Sequence, residues 1–473
     1  MAAFKSLGHR AYRESGLLSV YTTGLDAYLI ILSRSCRMFA YGASSLILAL
    51  FFAELQFSDY QIGLFMSLTL LGDVILSLCL TLVADHVGRR RTLFLGSILM
   101  ICSGATFALC ENYFVLIAAA VVGVISATGG DFGPFRAIEE STVSELTTPE
   151  TRADVLVWYV TTASLGSAVG TTTSGRIIDW LSAKEGWTLL DAYHGCFWVY
   201  AIMGLANMAC SALLSESCEL KKTPVAGNGE TAPLLEGSTD DGVAQPKEKA
   251  SWVSQISRET LAIVGVLWFL LMVDSLADGM VSMSLTTYYM DKKFHLNKSA
   301  LGDMLSTAYI LSSFSNIFAG PLARYIGLVN TMVFTHIPSS TAVLLFPLPK
   351  TVSMTFALLL LRVGLNNMDQ APRAALIAAV VKPEERTAVM GITGMLRTLA
   401  STTGPSITGV LAGNNRFWVA YVVAGALRLA YDLGLFALFI NIKLHKHEPA
   451  AVSAEDDRRM SNEEEPLVRN SAE

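Results

Sequence analysis

The sequence predicts an all-α membrane protein of twelve transmembrane helices in two pseudo-symmetric six-helix bundles. Three observations predict it. Of the 473 residues, 52% are hydrophobic and only 16% charged, against about 25% charge in soluble domains, and mean hydropathy is +0.47. Apolar runs of roughly 20 residues, the length a helix needs to cross lipid, recur along most of the chain. Many of them are apolar all round, whereas a soluble stack of helices shows polar faces at helical spacing. Finally, local matches recur about half a chain apart. Leu82-Val83-Ala84-Asp85-His86-Val87-Gly88-Arg89-Arg90-Arg91 closes one apolar segment and Gly320-Pro321-Leu322-Ala323-Arg324-Tyr325-Ile326-Gly327 closes another. Phe57 and Ile62-Gly63 return at that same offset as Leu296 and Leu301-Gly302. Pro149-Glu150-Thr151-Arg152-Ala153 returns as Pro383-Glu384-Glu385-Arg386-Thr387-Ala388, and Phe197-Trp198-Val199 as Phe417-Trp418-Val419. Duplicated halves in a membrane protein suggest a transporter with its site between them.

In order, the candidate spans are 27–52, 60–83, 92–110, 113–145, 154–178 and 194–214, then 259–289, 300–322, 329–347, 352–381, 388–411 and 417–441. The fourth and tenth are longer than a bilayer requires. The chain therefore divides into an N-terminal segment (1–26), a first bundle (27–214), a linker (215–257), a second bundle (258–442) and a tail (443–473). Residues 1–24 are mixed in character and carry no cleavable signal pattern. Linker and tail are rich in Pro, Gly, Ser, Glu and Lys and poor in large apolar residues, a composition expected to be disordered.

Lys and Arg in short loops set the orientation. Arg89-Arg90-Arg91, Arg152, Arg324, Lys382 and Arg386 fall in even-to-odd loops, on the same side as Lys5, Arg10 and Arg13 before the first span and Lys443 and Lys446 after the last. Both termini are thus expected in the cytosol. Lys292, Lys293 and Lys298 break the trend. The compartment stays open between plasma membrane and a vacuolar or endosomal membrane. Glu230-Thr231-Ala232-Pro233-Leu234-Leu235 matches an acidic dileucine signal that sorting adaptors read, a short pattern that also arises by chance.

With loop, sidedness and repeat in agreement, the chain resembles the major facilitator superfamily over roughly 27–441. The resemblance is strongest in the loop after the second span, where the family pattern is Gly-x-x-x-Asp-Arg/Lys-x-Gly-Arg/Lys-x-Arg/Lys. The chain keeps Asp85, Gly88 and the last basic positions, and departs at Thr81 and His86. The second copy keeps Gly320 and Gly327 but has Arg324 in the acidic place. The resemblance implies that the first and seventh helices line a central cavity. Thr403-Gly404-Pro405-Ser406 is similar to the Gly-Pro motif of drug:proton exchangers in the superfamily, but lies in the eleventh span rather than the fifth. A kinked helix that packs its backbone closely explains it equally well.

Charge pairing gives the loops a further role. Asp85, Gly88, Arg89, Glu139, Glu140 and Arg152 all sit at the cytosolic ends of spans, where they can form a salt-bridge lattice that closes that face. Arg90 and Arg91 serve topology alone.

Ionisable residues inside spans cost several kcal/mol at the bilayer centre, so each is a functional candidate. Arg34, Arg37 and Tyr41 share one face of the first span, and Asp274 and Asp278 one face of the seventh. Asp131 precedes Gly133-Pro134-Phe135-Arg136, and Asp369 precedes Gln370-Ala371-Pro372-Arg373, each an acid beside a Pro-weakened helix. Arg362, Asp73 and Arg397 are also intramembrane. These residues either neutralise one another or work in a cavity. Arg428 and Asp432 read more simply as an intrahelical ion pair. A carboxylate in low dielectric can load and release a proton, and the candidates, in order, are Asp274, Asp278, Asp131 and Asp369. Arg34 and Arg37 could grip an anionic group.

No nucleotide cradle, nucleophile-base pair, basic nucleic-acid stripe or metal-ligand spacing is present, so no enzyme activity, nucleic-acid partner, cofactor or metal is expected. The seven cysteines read as small core hydrophobes. The reading is a secondary transporter of a small organic solute, coupled to protons. An uncoupled facilitator and a transport-inactive sensor or scaffold are the alternatives.

Overall fold

The computed structural model describes residues 17–123, 125, 134–219, 258–381 and 385–439. A short helix, Leu17–Thr23, precedes twelve spans. In the first half these are α1 (Leu25–Glu54), α2 (Asp59–Val87), α3 (Arg89–Leu109), α4 (Tyr113–Gly123 and Pro134–Leu146), α5 (Pro149–Ser182) and α6 (Leu189–Leu213). In the second half they are α7 (Arg258–Met280 and Met283–Phe294), α8 (Lys298–Ile326), α9 (Leu328–Leu345), α10 (Val352–Asn366 and Gln370–Val380, joined by a 3-10 turn Asn367–Asp369), α11 (Arg386–Gly413) and α12 (Phe417–Phe439). Among the described residues, six single helices are long and apolar enough to cross a bilayer, and α7 is a seventh when its two pieces, bent by 41°, are taken as one. α10 is broken by its 3-10 turn, and α5, α8 and α11 carry more polar residues, which protein neighbours tolerate where lipid would not.

The repeated sequence motifs have matching structural jobs. One glycine joins α2 to α3 and another joins α8 to α9. Gly88 has φ 104° and Gly327 φ 91°, a left-handed region that only glycine enters at little cost. In the Phe-Trp-Val pair, Phe197 and Phe417 point inward and Trp198 and Trp418 outward. The Phe197 ring lies 5.0 Å from Phe51 and from Phe107, and Phe417 lies 5.1 Å from Tyr289, so each caps the aromatic core of its own bundle. Pro149 begins α5, where a missing N–H costs nothing, and Thr148 closes a capping box with Thr151.

Within the halves, α1 packs between α5 and α6, and α7 between α11 and α12. Between the halves, α5 runs along α8 and α2 along α11, contacts that exchange under the six-span repeat. Both seams rely on bare backbone. A Cβ at Gly63 would collide with the Pro405 carbonyl, and one at Gly302 with that of Thr171. Gly404 meets the backbone of Gly279 and Met280 in the same way. The Gly-Pro stretch of α11 therefore serves close packing.

Polar ties hold the halves together at the face opposite the Arg89–Arg91 loop. Asp59 accepts hydrogen bonds from the Tyr288 hydroxyl at 2.6 Å and from Lys292 at 2.9 Å. Asp179 accepts from the amides of Lys298 and Ser299 at 3.1 and 2.8 Å, so a carboxylate of one half caps a helix of the other. Ser67 bonds Ser406 at 2.7 Å. Lys298 also pairs with Asp291 at 2.5 Å, and Lys293 donates to the Pro347 carbonyl. The three lysines that depart from the loop-charge trend are thus each engaged, Lys292 across the halves and Lys293 and Lys298 within the second.

Residues 215–219, assigned to the linker by composition, are ordered. The Glu219 carboxylate accepts from the amides of Arg89 at 2.8 Å and Arg90 at 3.2 Å, capping α3. Asp26 accepts from the Ser215 amide at 2.9 Å and from the Ser217 hydroxyl at 2.9 Å. The dileucine stretch 230–235 and the C-terminal tail lie outside the described residues.

Candidate functional site

A cavity of about 590 Å³ lies between the halves. The first half contributes Arg34 and Met38 of α1, Leu70 of α2, Arg136 of α4 and Ser164 of α5. The second contributes residues from α7 to α11, among them Asp274, Asp278, Tyr309, His336, Arg362, Arg373 and Arg397. The wall reaches Met390, about one turn from the start of α11, on the side of the Arg89–Arg91 loop.

The sequence-derived cavity residues separate into wall and support. Arg34, Asp274, Asp278 and Arg362 are on the wall. Arg37 and Tyr41 are buried at 2% exposure and stand behind it, as does Asp369 behind Arg373. Asp131 lies outside the described residues.

In the first half the central group is Glu139 rather than an aspartate of α7. Both Arg37 terminal nitrogens reach its carboxylate, at 2.9 and 2.7 Å, and the Tyr159 hydroxyl donates to it at 2.8 Å. Arg34 lies over the Tyr159 ring, 4.0 Å from its centroid. A buried guanidinium is stabilised by a bidentate carboxylate, and α4 supplies one in the same bundle. Glu139 is therefore drawn inward and is not beside Arg152. Glu140 pairs with Arg136 at 2.7 Å. Of the other gate candidates, Arg89 pairs with Glu145 at 2.8 Å. Arg152 donates to the Ser144 carbonyl at 2.8 Å, and Gly88 forms the turn described above. The side chain of Asp85 is outside the described residues.

In the second half a larger ionic set surrounds α7. Asp278 meets Arg428 at 3.1 Å. Asp274 lies 3.8 to 3.9 Å from His336, Arg428 and Arg373. Arg373 pairs with Asp369 at 2.5 Å. His336 bonds Asp432 at 2.7 Å and Arg428 at 2.7 Å, and Ser340 donates to Asp432 at 2.8 Å. Arg428 also reaches the Asn366 side-chain oxygen. The intrahelical pair expected for Arg428 and Asp432 gives way to two tertiary contacts, because both side chains turn into the bundle toward α7 and α9.

His336 is the residue that sequence reasoning missed. Its one signal is the polar stretch Thr335-His336, Ser339-Ser340 in an otherwise apolar span. Among the described residues, no group of three or more His, Cys, Asp or Glu side chains could hold a metal ion.

The family model for the Major Facilitator Superfamily matches residues 30–272 and 267–469. The chain belongs to the major facilitator superfamily. It is a membrane solute transporter with two six-helix bundles. It is 33% identical over 431 residues to the Uncharacterized membrane protein YJR124C of Saccharomyces cerevisiae, which covers 88% of this chain and 94% of the relative. Among solved structures it is similar to the nucleoside transporter NupG, with TM-score 0.63, 12% identity and coverage of 88% of this chain and 99% of that one. A D-xylose-proton symporter gives TM-score 0.63, 13% identity and coverage of 87% and 97%. At such identity these two structures share the fold alone.

Proposed function

We propose that this superfamily member is a secondary active transporter that moves a small organic solute by alternating access and couples the movement to protons. The observation that carries the reading is the pair Asp274 and Asp278, on the wall of a cavity between the halves, each within reach of basic groups from α9, α10 or α12. A proton on either carboxylate releases its arginine or histidine to find another partner. A change of pairing inside one bundle then alters how that bundle meets the other.

The basic loops face the cytosol in this reading. The ties at Asp59, Asp179 and Ser67 then close the outer face, and the cavity belongs to an inward-facing form. The gate is assigned to Arg89 with Glu145 and to the Gly88 turn, while Glu139 with Arg37 supports the cavity. Adaptor binding at Glu230–Leu235 belongs to the same reading and rests on sequence alone.

Uptake into proteoliposomes tests it, using solutes chosen by a thermal-shift screen, since bound ligand raises the melting temperature by mass action. Accumulation that follows an imposed pH gradient, and loses that dependence in Asp278→Asn or Asp274→Asn, is expected. Flux that ignores the gradient would point to a facilitator, and an absence of flux with every bound solute to a sensor or scaffold.

A further inference from the structure

The two aspartates of the cavity wall are engaged with Arg428, Arg373 and His336. Two arginines of the same wall differ. Arg362 donates to the Thr286 hydroxyl at 2.8 Å and to the Val281 carbonyl. Arg397 donates to the Ser275 hydroxyl at 3.1 Å. These acceptors are neutral, and among the described residues neither arginine belongs to an ion pair. Arg362 is only 5% exposed. A guanidinium so enclosed is costly unless an anion joins it.

Arg362 also sits at a break in the backbone. α7 is bent between Met280 and Met283, and the carbonyl that Arg362 holds belongs to Val281 in that break. The second piece of α7, Met283–Phe294, runs 12 residues, and its first amides have no partner within the helix. Its cap residue, Ser282, makes no capping bond, lies on the cavity wall at 5% exposure, and has a hydroxyl with no partner among the described residues. A helix amino end, an unpartnered hydroxyl and an arginine outside any ion pair therefore meet at one place, a combination suited to an anionic oxygen group.

The wall around it has the same sign. It carries five arginines, Arg34, Arg136, Arg362, Arg373 and Arg397, against two aspartates. Asp369 and Glu140, which pair with Arg373 and Arg136 and balance part of this charge, are off the wall. A cavity with fixed positive groups and low-dielectric sides concentrates anions.

We infer that the cavity takes a small organic anion, whose carboxylate or phosphate docks at the break in α7 against Arg362 and Ser282, with Arg397 as a second cation. This rests on the reading of the cavity as the solute site.

Matched solutes test it on the purified full-length protein at fixed pH and ionic strength. The sets are benzoate, benzamide and benzylamine; succinate, succinamide and putrescine; glucose 6-phosphate, glucose and glucosamine. At least one anion should raise the melting temperature where its neutral and cationic counterparts do not, and which anion does so separates carboxylate from phosphate recognition. Arg362→Gln should raise the half-maximal concentration about tenfold or more, as loss of a charge-assisted hydrogen bond does. Arg362→Lys should restore part of it. Because Arg362 braces the break, Arg397→Gln and Ser282→Ala give the same test with the brace intact, and weaker binding is expected in each. The proposal is overturned if no anion shifts the melting temperature, if neutral or cationic counterparts shift it equally, or if binding is unchanged in Arg397→Gln and Ser282→Ala. Anion binding without flux in liposomes would keep the site and remove the transport reading. Flux of a neutral solute without anion binding would do the reverse.

Discussion

Arg428 of α12 reaches across its bundle to Asp278 of α7 at 3.1 Å, although a carboxylate stands one turn away in its own helix at Asp432. That choice ties two spans together at the cavity wall. It also leaves Asp432 to hold His336.

Removing one partner of this pair, in which Arg428 is buried and Asp278 opens on the cavity, should destabilise more than removing both. Arg428→Met leaves Asp278 facing the cavity and Asp274 short of a base. The single change is expected to cost about 1 to 3 kcal/mol, because Asp278 is partly solvated in the cavity, and the double change Arg428→Met with Asp278→Asn less. Melting temperatures of the four members of the cycle in detergent provide the check. Additive losses would mean that the two residues do not interact.

Glu139 carries three hydrogen bonds, two from Arg37 and one from Tyr159. Tyr159→Phe removes one and keeps the ion pair, so a loss of about 1.5 to 3 kcal/mol is expected for a bond to a charged group. Glu139→Gln strands Arg37 in the bundle and should be the worse change. Thermal denaturation of both variants orders them. If Glu139→Gln proves the milder substitution, the carboxylate is not what holds Arg37.

Closure of the face opposite the basic loops should depend on Asp179. Asp179→Ala removes the acceptor for two amides at the start of α8, in the other half, with a cost of about 1 kcal/mol, typical of a lost cap. The cost falls on one conformation only, so the population should shift away from it. A cysteine placed at Ser164 on the cavity wall, probed with reagents added from each side of the membrane, reports the shift. Unchanged labelling from both sides would show that the cap contributes nothing to closure.

Cys218 lies outside the spans, and burial together with Asp26 pushes its thiol up to about 12. Very little thiolate exists at pH 8, and the side chain is 1% exposed, so alkylation should be slow. Glu219→Ala frees the segment from the amides of Arg89 and Arg90. Labelling should then speed up, and the pH at half-maximal rate should fall toward that of an ordinary thiol. Fast labelling of the unmodified protein would show that the segment is not docked.

The sequence displayed its duplicated halves, the wall residues Asp274, Asp278 and Arg362, and the two turn glycines because each depends on a local rule. A charge in a long apolar run is conspicuous, and so is a glycine between two helices. Partner choice is different. Arg37 takes Glu139 from α4, and Arg428 takes Asp278 from α7, and no spacing along the chain encodes which helix faces which. His336 was obscured for the same reason. A lone histidine in an apolar segment reveals nothing until α12 brings Asp432 beside it. The break in α10 falls beside the Pro-weakened stretch Asp369–Arg373 that the sequence singles out, whereas the bend in α7, between Met280 and Met283, shows only in the tertiary structure.

The glycine seams along α2 with α11 and α5 with α8 bear on how easily the two halves can reorient. Where main chain meets main chain, parting uncovers few hydrocarbon side chains, so little is lost to rehydration at those lines. The two orientations can then lie close in free energy, and an event as small as one proton or one bound solute suffices to tip the choice between them.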